Sequence, residues 1–210
     1  MQHSLQQIQH WLEQHAPRIT TYSLQAPATD QQFGRIEKLL ATPLLNGFKS
    51  LYLWHNGLSD QVNGASLFYG MDFYSLEHVE DVYRAKSDMV DQLIELKYAD
   101  VEIDPCNVFN PNWLQFADDR SHSGLYIDLA PTAQGQYGQV IFIDEECEVA
   151  LKVADSIEAL VAQFSLDIEQ GYYQLDQDAL EDGDEFLACD TEIDLINWQD
   201  SQRWRRKMRG

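Results

Sequence analysis

The chain is poor in positive charge. Its 210 residues hold 14 Lys and Arg against 35 Asp and Glu, a formal net charge of −21. Five of those bases (Arg203, Arg205, Arg206, Lys207 and Arg209) fall in the last eight residues, where there is no acid, so residues 1–202 carry nine bases against 35 acids, or −26. From Val153 to Gln202 there is no Lys or Arg at all. Such a body repels nucleic acid and anionic membranes and attracts basic partners. Solubility alone is the other reading of the same charge.

Cysteine is scarce too. Cys106, Cys147 and Cys189 are an odd number at wide spacing, which argues against a disulfide framework and predicts free thiols in a reducing cytoplasm. No apolar run approaches the ~20 residues that span a bilayer. Met1 to Gln14 lacks a basic start and a continuous apolar stretch, so no secretory signal is expected. The common catalytic motifs are missing: no H-E-x-x-H, G-x-S-x-G, Walker loop or C-x-x-C. Cysteine and histidine show no zinc spacing. Asp178 to Asp184 has the acids of a calcium loop, but Leu180 and Cys189 stand at ligand positions, which excludes an EF-hand. The expectation is therefore a protein that is not an enzyme and holds neither cofactor nor metal.

Apolar residues make up 44% of the sequence and aromatics 11%, enough for a globular core at this length. Leu5, Ile8 and Leu12 fall at helical spacing, predicting a helix over Ser4 to Ala16 that Pro17 ends. Ile19 to Leu24 suits a short strand. Asp30 is placed to cap a second helix, and Thr42-Pro43 to start a third that Asn56-Gly57 ends. Leu67 to Tyr69 and Met71 to Phe73 read as short strands. Ser75 caps a long helix whose stripe runs from Leu76 to Leu96. Asp100 to Pro111 is a loop. Asp155 and Glu158 suggest a capping box before a helix carrying Ile157, Leu160, Val161, Phe164 and Ile168. A last helix is expected over Ile193 to Met208, anchored by Ile196 and Trp204.

Between these helices lies the organising stretch, Asn112 to Ala154. Trp113 to Ala117, then Leu125, Ile127 and Leu129, then Val149, Leu151 and Val153 alternate with a period of two; Val140 to Ile143 is apolar on both faces. Several strands joined by short turns predict an antiparallel meander with Val140 to Ile143 at its centre. Gly135-Gln136-Tyr137-Gly138 is a hairpin turn rather than a dinucleotide fingerprint.

The same stretch carries a family resemblance. W-x-x-F-A-D-D from Trp113, D-L-A-P from Asp128 and G-x-Y-G-Q-V-I from Gly135 resemble the SUKH superfamily, and so does the block running from Thr42-Pro43 to Trp54-His55-Asn56-Gly57. The resemblance covers roughly residues 30–170. That superfamily holds fungal cell-wall assembly regulators and many bacterial immunity proteins against polymorphic toxins. The resemblance implies an α+β fold, with an antiparallel twisted sheet of about five or six strands and helices packed against it. Residues 1–172 are expected to form this domain and 173–210 an acidic extension ending in a basic helix. The implied function is non-enzymatic protein binding. The first expectation is an immunity protein that sequesters a basic toxin domain, such as a nuclease; the alternative is a regulatory scaffold that binds a cellular protein.

Candidate contacts for that partner are the acid clusters: Asp118 and Asp119; Asp144, Glu145 and Glu146; Glu181, Asp182, Asp184 and Glu185. Asp118, Asp119, Ser121 and His122 lie too close in sequence to converge as a catalytic triad. Trp54, His55, Asn56 and Gly57, with Trp113, Asp128, Pro131 and Gly138, are structural or line a cleft. Asp128 is expected to tie down the turn after it, and the basic tail to dock on the protein's own acids.

Overall fold

The computed structural model describes residues 1–105 and 107–206. Cys106 and residues 207–210, which include the last two of the helix expected over Ile193 to Met208, lie outside the described residues.

The meander is present. Strands β3 (Trp113–Asp118), β4 (Ser123–Asp128), β5 (Gln139–Asp144) and β6 (Val149–Ala154) pair antiparallel in sequence order. Short strands close both margins: β1 (Asp72–Phe73) pairs antiparallel with β3, and β2 (Tyr98–Ala99) pairs parallel with β6. Among the described residues the sheet has six strands, in the order β1-β3-β4-β5-β6-β2. Every residue of β4 and β5 is buried, which explains the two-sided apolar run at Val140 to Ile143. The fold is α+β, as expected.

One sheet face, with Leu114, Phe116, Leu125, Ile127, Phe142 and Leu151, joins the main core. Four longer helices supply much of the rest: α1 (Gln2–His15), α2 (Asp30–Leu40), α3 (Asn46–Trp54) and α4 (Leu76–Ser87). A fifth, α5 (Ile157–Glu169), lies against β5 and β6 and along α1. Gln7 Nε2 donates to Glu169 Oε1 at 2.5 Å across the α1–α5 seam. The opposite sheet face, with Trp113, Tyr126, Ile141, Ile143 and Ala150, packs on Leu96, Ala99 and Ile103. A two-stranded sheet, β7 (Tyr173–Leu175) with β8 (Leu187–Cys189), follows α5 and encloses the short helix α6 (Gln177–Glu181).

Several local expectations are corrected. Ile19 to Ser23 form a π-helical turn, and only Leu24 bridges to Leu58 as strand. Thr29, not Asp30, caps α2, in a reciprocal box with Gln32. Thr42-Pro43 precede α3, which starts at Asn46 with Leu45 as its uncapped entry. Phe68 to Gly70 make a 3-10 turn where a strand was expected, with Tyr69 at a φ of 54°. The α4 helix stops at Ser87, well short of Leu96: beyond it Leu93 is 78% exposed, and Leu96 reaches the second sheet face from outside the helix. Asn107 instead gathers that segment, donating to Val90 O and accepting from Phe109 N–H. Ser156, not Asp155, caps α5 through Ala159 N–H. Residues 191–206 run as successive turns rather than a helix, yet Ile193, Leu195, Trp198 and Trp204 are buried. Arg203 and Arg206 of the basic tail dock on Asp167 and Asp100.

Candidate functional site

Two hairpin turns meet at one end of the meander, since β3–β4 and β5–β6 turn on the same side. Ser123 pairs with Asp144 in register, and Glu145 N–H donates to His122 O at 2.9 Å. The first two acid clusters are thereby brought together. Asp118 Oδ1 accepts Arg120 N–H; Asp119 Oδ1 accepts the N–H groups of Ser121 and Ser123. These bonds shape the turn and leave both carboxylates half-exposed. Glu145 pairs with Lys86 of α4, and Glu146 is exposed.

The third cluster reaches the same region. Arg120 lies over the Phe186 ring at 5.5 Å and pairs with Asp72 at 3.5 Å. Asp184 Oδ1 accepts Gly64 N–H, while Glu181 and Asp182 stay exposed. Asp72 sits opposite Asp118 in register. Burial raises its pKa above the usual carboxylate range; Arg120 counteracts this, and Asp118 and Asp60 add to it. Asp60 and Asp72 were missed in the sequence because they lie far from the acid runs; Asp72 joins them through its pairing with Asp118, and Asp60 acts on Asp72.

Two candidates are occupied internally. Asp144 is 7% exposed; its Oδ1 accepts Cys147 N–H and its Oδ2 accepts Trp198 Nε1–H, so it fastens the C-terminal turns to the sheet. Glu185 is 6% exposed, and its Oε2 accepts Arg18 and Ile19 N–H at the entry to the π-helical turn.

Beside the acidic end, α4 and the β3–β4 margin enclose a cleft of about 290 Å³. Its walls include Tyr74, His78, Lys86, Gln115, Asp118 and Glu145. Lys86 Nζ also donates to the Tyr126 hydroxyl at 2.8 Å. Burial, then the neighbouring Asp118 carboxylate, hold the Tyr74 hydroxyl protonated well above its ordinary range.

The Trp54 block is elsewhere and has a structural part in the fold. Trp54 Nε1–H donates to Gln9 Oε1 at 3.1 Å, and His55 Nδ1 lies 2.6 Å from Gln25 O. Asn56 Oδ1 accepts Leu76 N–H, and its Nδ2 donates to Glu77 at the start of α4. Gly57 has a φ of +78° and sits against the Tyr74–Ser75 backbone, where a Cβ would not fit. The four residues thus tie α1, the Gln25 segment and α4 to the end of α3. Trp54 and His55 also line a groove of about 750 Å³ between α1 and α3, with Gln9, His10, Glu13 and Leu53. No residue of the meander lines that groove.

Trp113, Asp128 and Gly138 belong to the opposite end of the meander from the acids. Asp128 has no exposed surface; it accepts Ala130 N–H at 3.0 Å and Gln139 Nε2–H at 2.9 Å, fixing the turn toward Pro131. Trp113 stands opposite it and packs in the second core. Gly138 has a φ of +84°, and Leu45 fills the place of its missing Cβ.

Among the described residues, no group of three or more His, Cys, Asp or Glu is arranged to hold a metal ion. Nor is any helix there long and apolar enough to cross a membrane. Cys147 and Cys189 are free.

Comparison with known proteins gives a consistent result. The "Cell wall assembly regulator SMI1" of Saccharomyces cerevisiae is 22% identical, over 89% of this chain and 43% of its own length. The "Cell wall biosynthesis/cell cycle regulator smi1" of Schizosaccharomyces pombe is 26% identical, over 62% of this chain and 28% of its own. A "KNR4/SMI1 homolog" of Yarrowia lipolytica is 33% identical over 34% of this chain and 10% of its own. The chain thus spans less than half the length of these relatives. The first two are named as cell-wall regulators, which favours the regulatory alternative over the toxin-immunity expectation. The model of the SMI1 / KNR4 family (SUKH-1) matches residues 27–163, well over half of the sequence, and the chain belongs to that family.

Proposed function

We propose that this chain is a regulatory protein-binding domain whose partner is a basic protein, engaged through the acidic end of the meander. The observation that supports this is the convergence of Asp118, Asp119, Glu145 and Glu146 on two adjoining turns, with Glu181 and Asp182 on a nearby segment. The acidic body repels nucleic acid, so binding of nucleic acid itself is disfavoured. Opposed charge speeds encounter and sets orientation more than it adds affinity. The relatives named as cell-wall regulators support regulation over toxin sequestration.

The test uses a quadruple variant, Asp118→Asn, Asp119→Asn, Glu145→Gln and Glu146→Gln, which keeps the acceptor oxygens that shape the turns. A partner isolated from the native cell on wild-type protein should associate with the variant at least tenfold more slowly at low salt. Its wild-type association rate should fall as salt rises, because such attraction is screened beyond ~8 Å at physiological ionic strength. Equal rates for both proteins at low and high salt would show that another surface binds.

A further inference from the structure

Gln115 is placed in a way that folding alone does not require. It keeps 7% of its surface and lines the cleft between α4 and the β3–β4 margin. Its Oε1 is closed to solvent and meets no donor. Its Nε2 faces Ala117 O and the Tyr74 hydroxyl, each at a long 3.5 Å. A buried acceptor left without a bond destabilises a fold, and an apolar residue of the same shape would avoid that.

Two local features hold the amide there all the same. A bulge interrupts the β3–β4 register between Gln115 and Ala117; such bulges re-aim side chains beside functional sites. On the neighbouring strand Gly124, the register partner of Asp118, also makes room: a Cβ there would lie 2.5 Å from Gln115 Nε2 and 2.9 Å from Ala117 O. The strand pair leaves room for this side chain.

Carboxylates share the cleft with it, alongside Tyr74, His78, Ser121, His122 and Ser123. Asp118 and Glu145 line it beside Gln115, and its cation, Lys86, is already engaged by Glu145 and the Tyr126 hydroxyl. At about 290 Å³ it is at the lower limit for drug-sized ligands, ~300–1,000 Å³, and of a size for a single side chain. What is missing is a cationic group with several donors. A guanidinium offers five in a planar fork and suits acceptors on two sides; an ammonium is a compact point charge.

We propose that this cleft receives the guanidinium of an arginine side chain on the partner protein, with Gln115 Oε1 and the Asp118 carboxylate as acceptors. The last torsion of glutamine is broad, so a small rotation presents the oxygen to the cleft. This rests on the reading that the acidic end meets a basic partner, and it names the group that is recognised.

The test is an NMR titration of the full chain with N-acetyl-arginine amide, and with the lysine and citrulline amides as controls. The expected result is saturable shifts of the Gln115 side-chain amide and of His78 and His122 with arginine. Lysine should bind at least threefold more weakly, and the uncharged citrulline should not saturate. Gln115→Met should weaken arginine binding at least fivefold while raising the urea midpoint, since an unsatisfied buried acceptor is removed. Asp118→Asn, in a chain that keeps Gln115, should weaken it as well, which keeps the test decisive if Gln115→Met misfolds. Equal response to citrulline, no saturation by arginine, or arginine binding unchanged in both variants would overturn the proposal. If the quadruple variant loses the partner but Gln115→Met does not, the acidic-surface reading stands and the arginine cleft falls.

Discussion

Arg203 grips Asp167 with both arms of its guanidinium, at 2.5 and 2.8 Å, and that carboxylate is wholly shut from solvent. Gln163 Nε2 donates a third bond at 2.8 Å. The pair joins the C-terminal turns to α5. Removing one partner of a buried pair leaves the other charge uncompensated, whereas replacing both with apolar groups is often close to neutral. Arg203→Ala should therefore cost ~3 kcal/mol or more, and Arg203→Met with Asp167→Leu markedly less. Urea midpoints of the two variants check this; equal losses would show that the pair does not act as a unit.

Phe142 has no exposed surface and stands on β5 between Leu125 and Leu151. Phe142→Ala should cost ~3–5 kcal/mol through lost burial and the cavity left behind. Chemical denaturation measures it, and an unchanged midpoint would contradict the central position of β5.

Burial lowers the pKa of His55 below its ordinary value, and the bond to Gln25 O only partly offsets this. The unfolded chain therefore takes up a proton at His55 at a higher pH than the native protein does. The stability linked to this group is complete above about pH 6.5 and declines as pH falls through and below that value. His55→Gln should flatten the stability profile between about pH 5.5 and 7. Midpoints measured across that range should show a shallower slope for the variant; an identical slope would place the titration elsewhere.

Cys147 and Cys189 are both free. Denatured, unreduced protein should release three thiols per chain in a thiol titration, matching the three cysteines of the sequence. In the native protein Cys189 should label slowly, because burial pushes its pKa up to about 12 and little thiolate forms near neutrality. Labelling of Cys189 at the denatured rate would contradict its enclosure.

Periodicity made the meander and most helices legible, since the signal at Val140 to Ile143 or along Leu5, Ile8 and Leu12 is a direct image of burial. Capping was less legible. Thr29 and Asp30, or Asp155 and Ser156, are neighbours with like chemistry, and only backbone geometry decides which one caps. The stripe beyond Ser87 misled because apolar spacing says nothing of whether a surface waits to receive it. At the acidic end, the sequence showed which acids were plentiful but not which were occupied. Asp144 and Glu185 look no different from Glu145 and Asp184 until Trp198 and the Arg18–Ile19 amides are brought beside them. Gln115 carried no signal at all, because a lone glutamine in a strand acquires meaning only from the bulge and from the room left at Gly124 on the neighbouring strand.

The α1–α5 seam has a consequence during synthesis. The stripe Leu5, Ile8 and Leu12 leaves the ribosome about 150 residues before α5, which lies along it. At ~5–20 residues per second, that is a wait on the order of ten seconds. Through that interval a newly made amphipathic helix lacks one of its main covers, which exposes the α1 stripe to chaperones until α5 emerges.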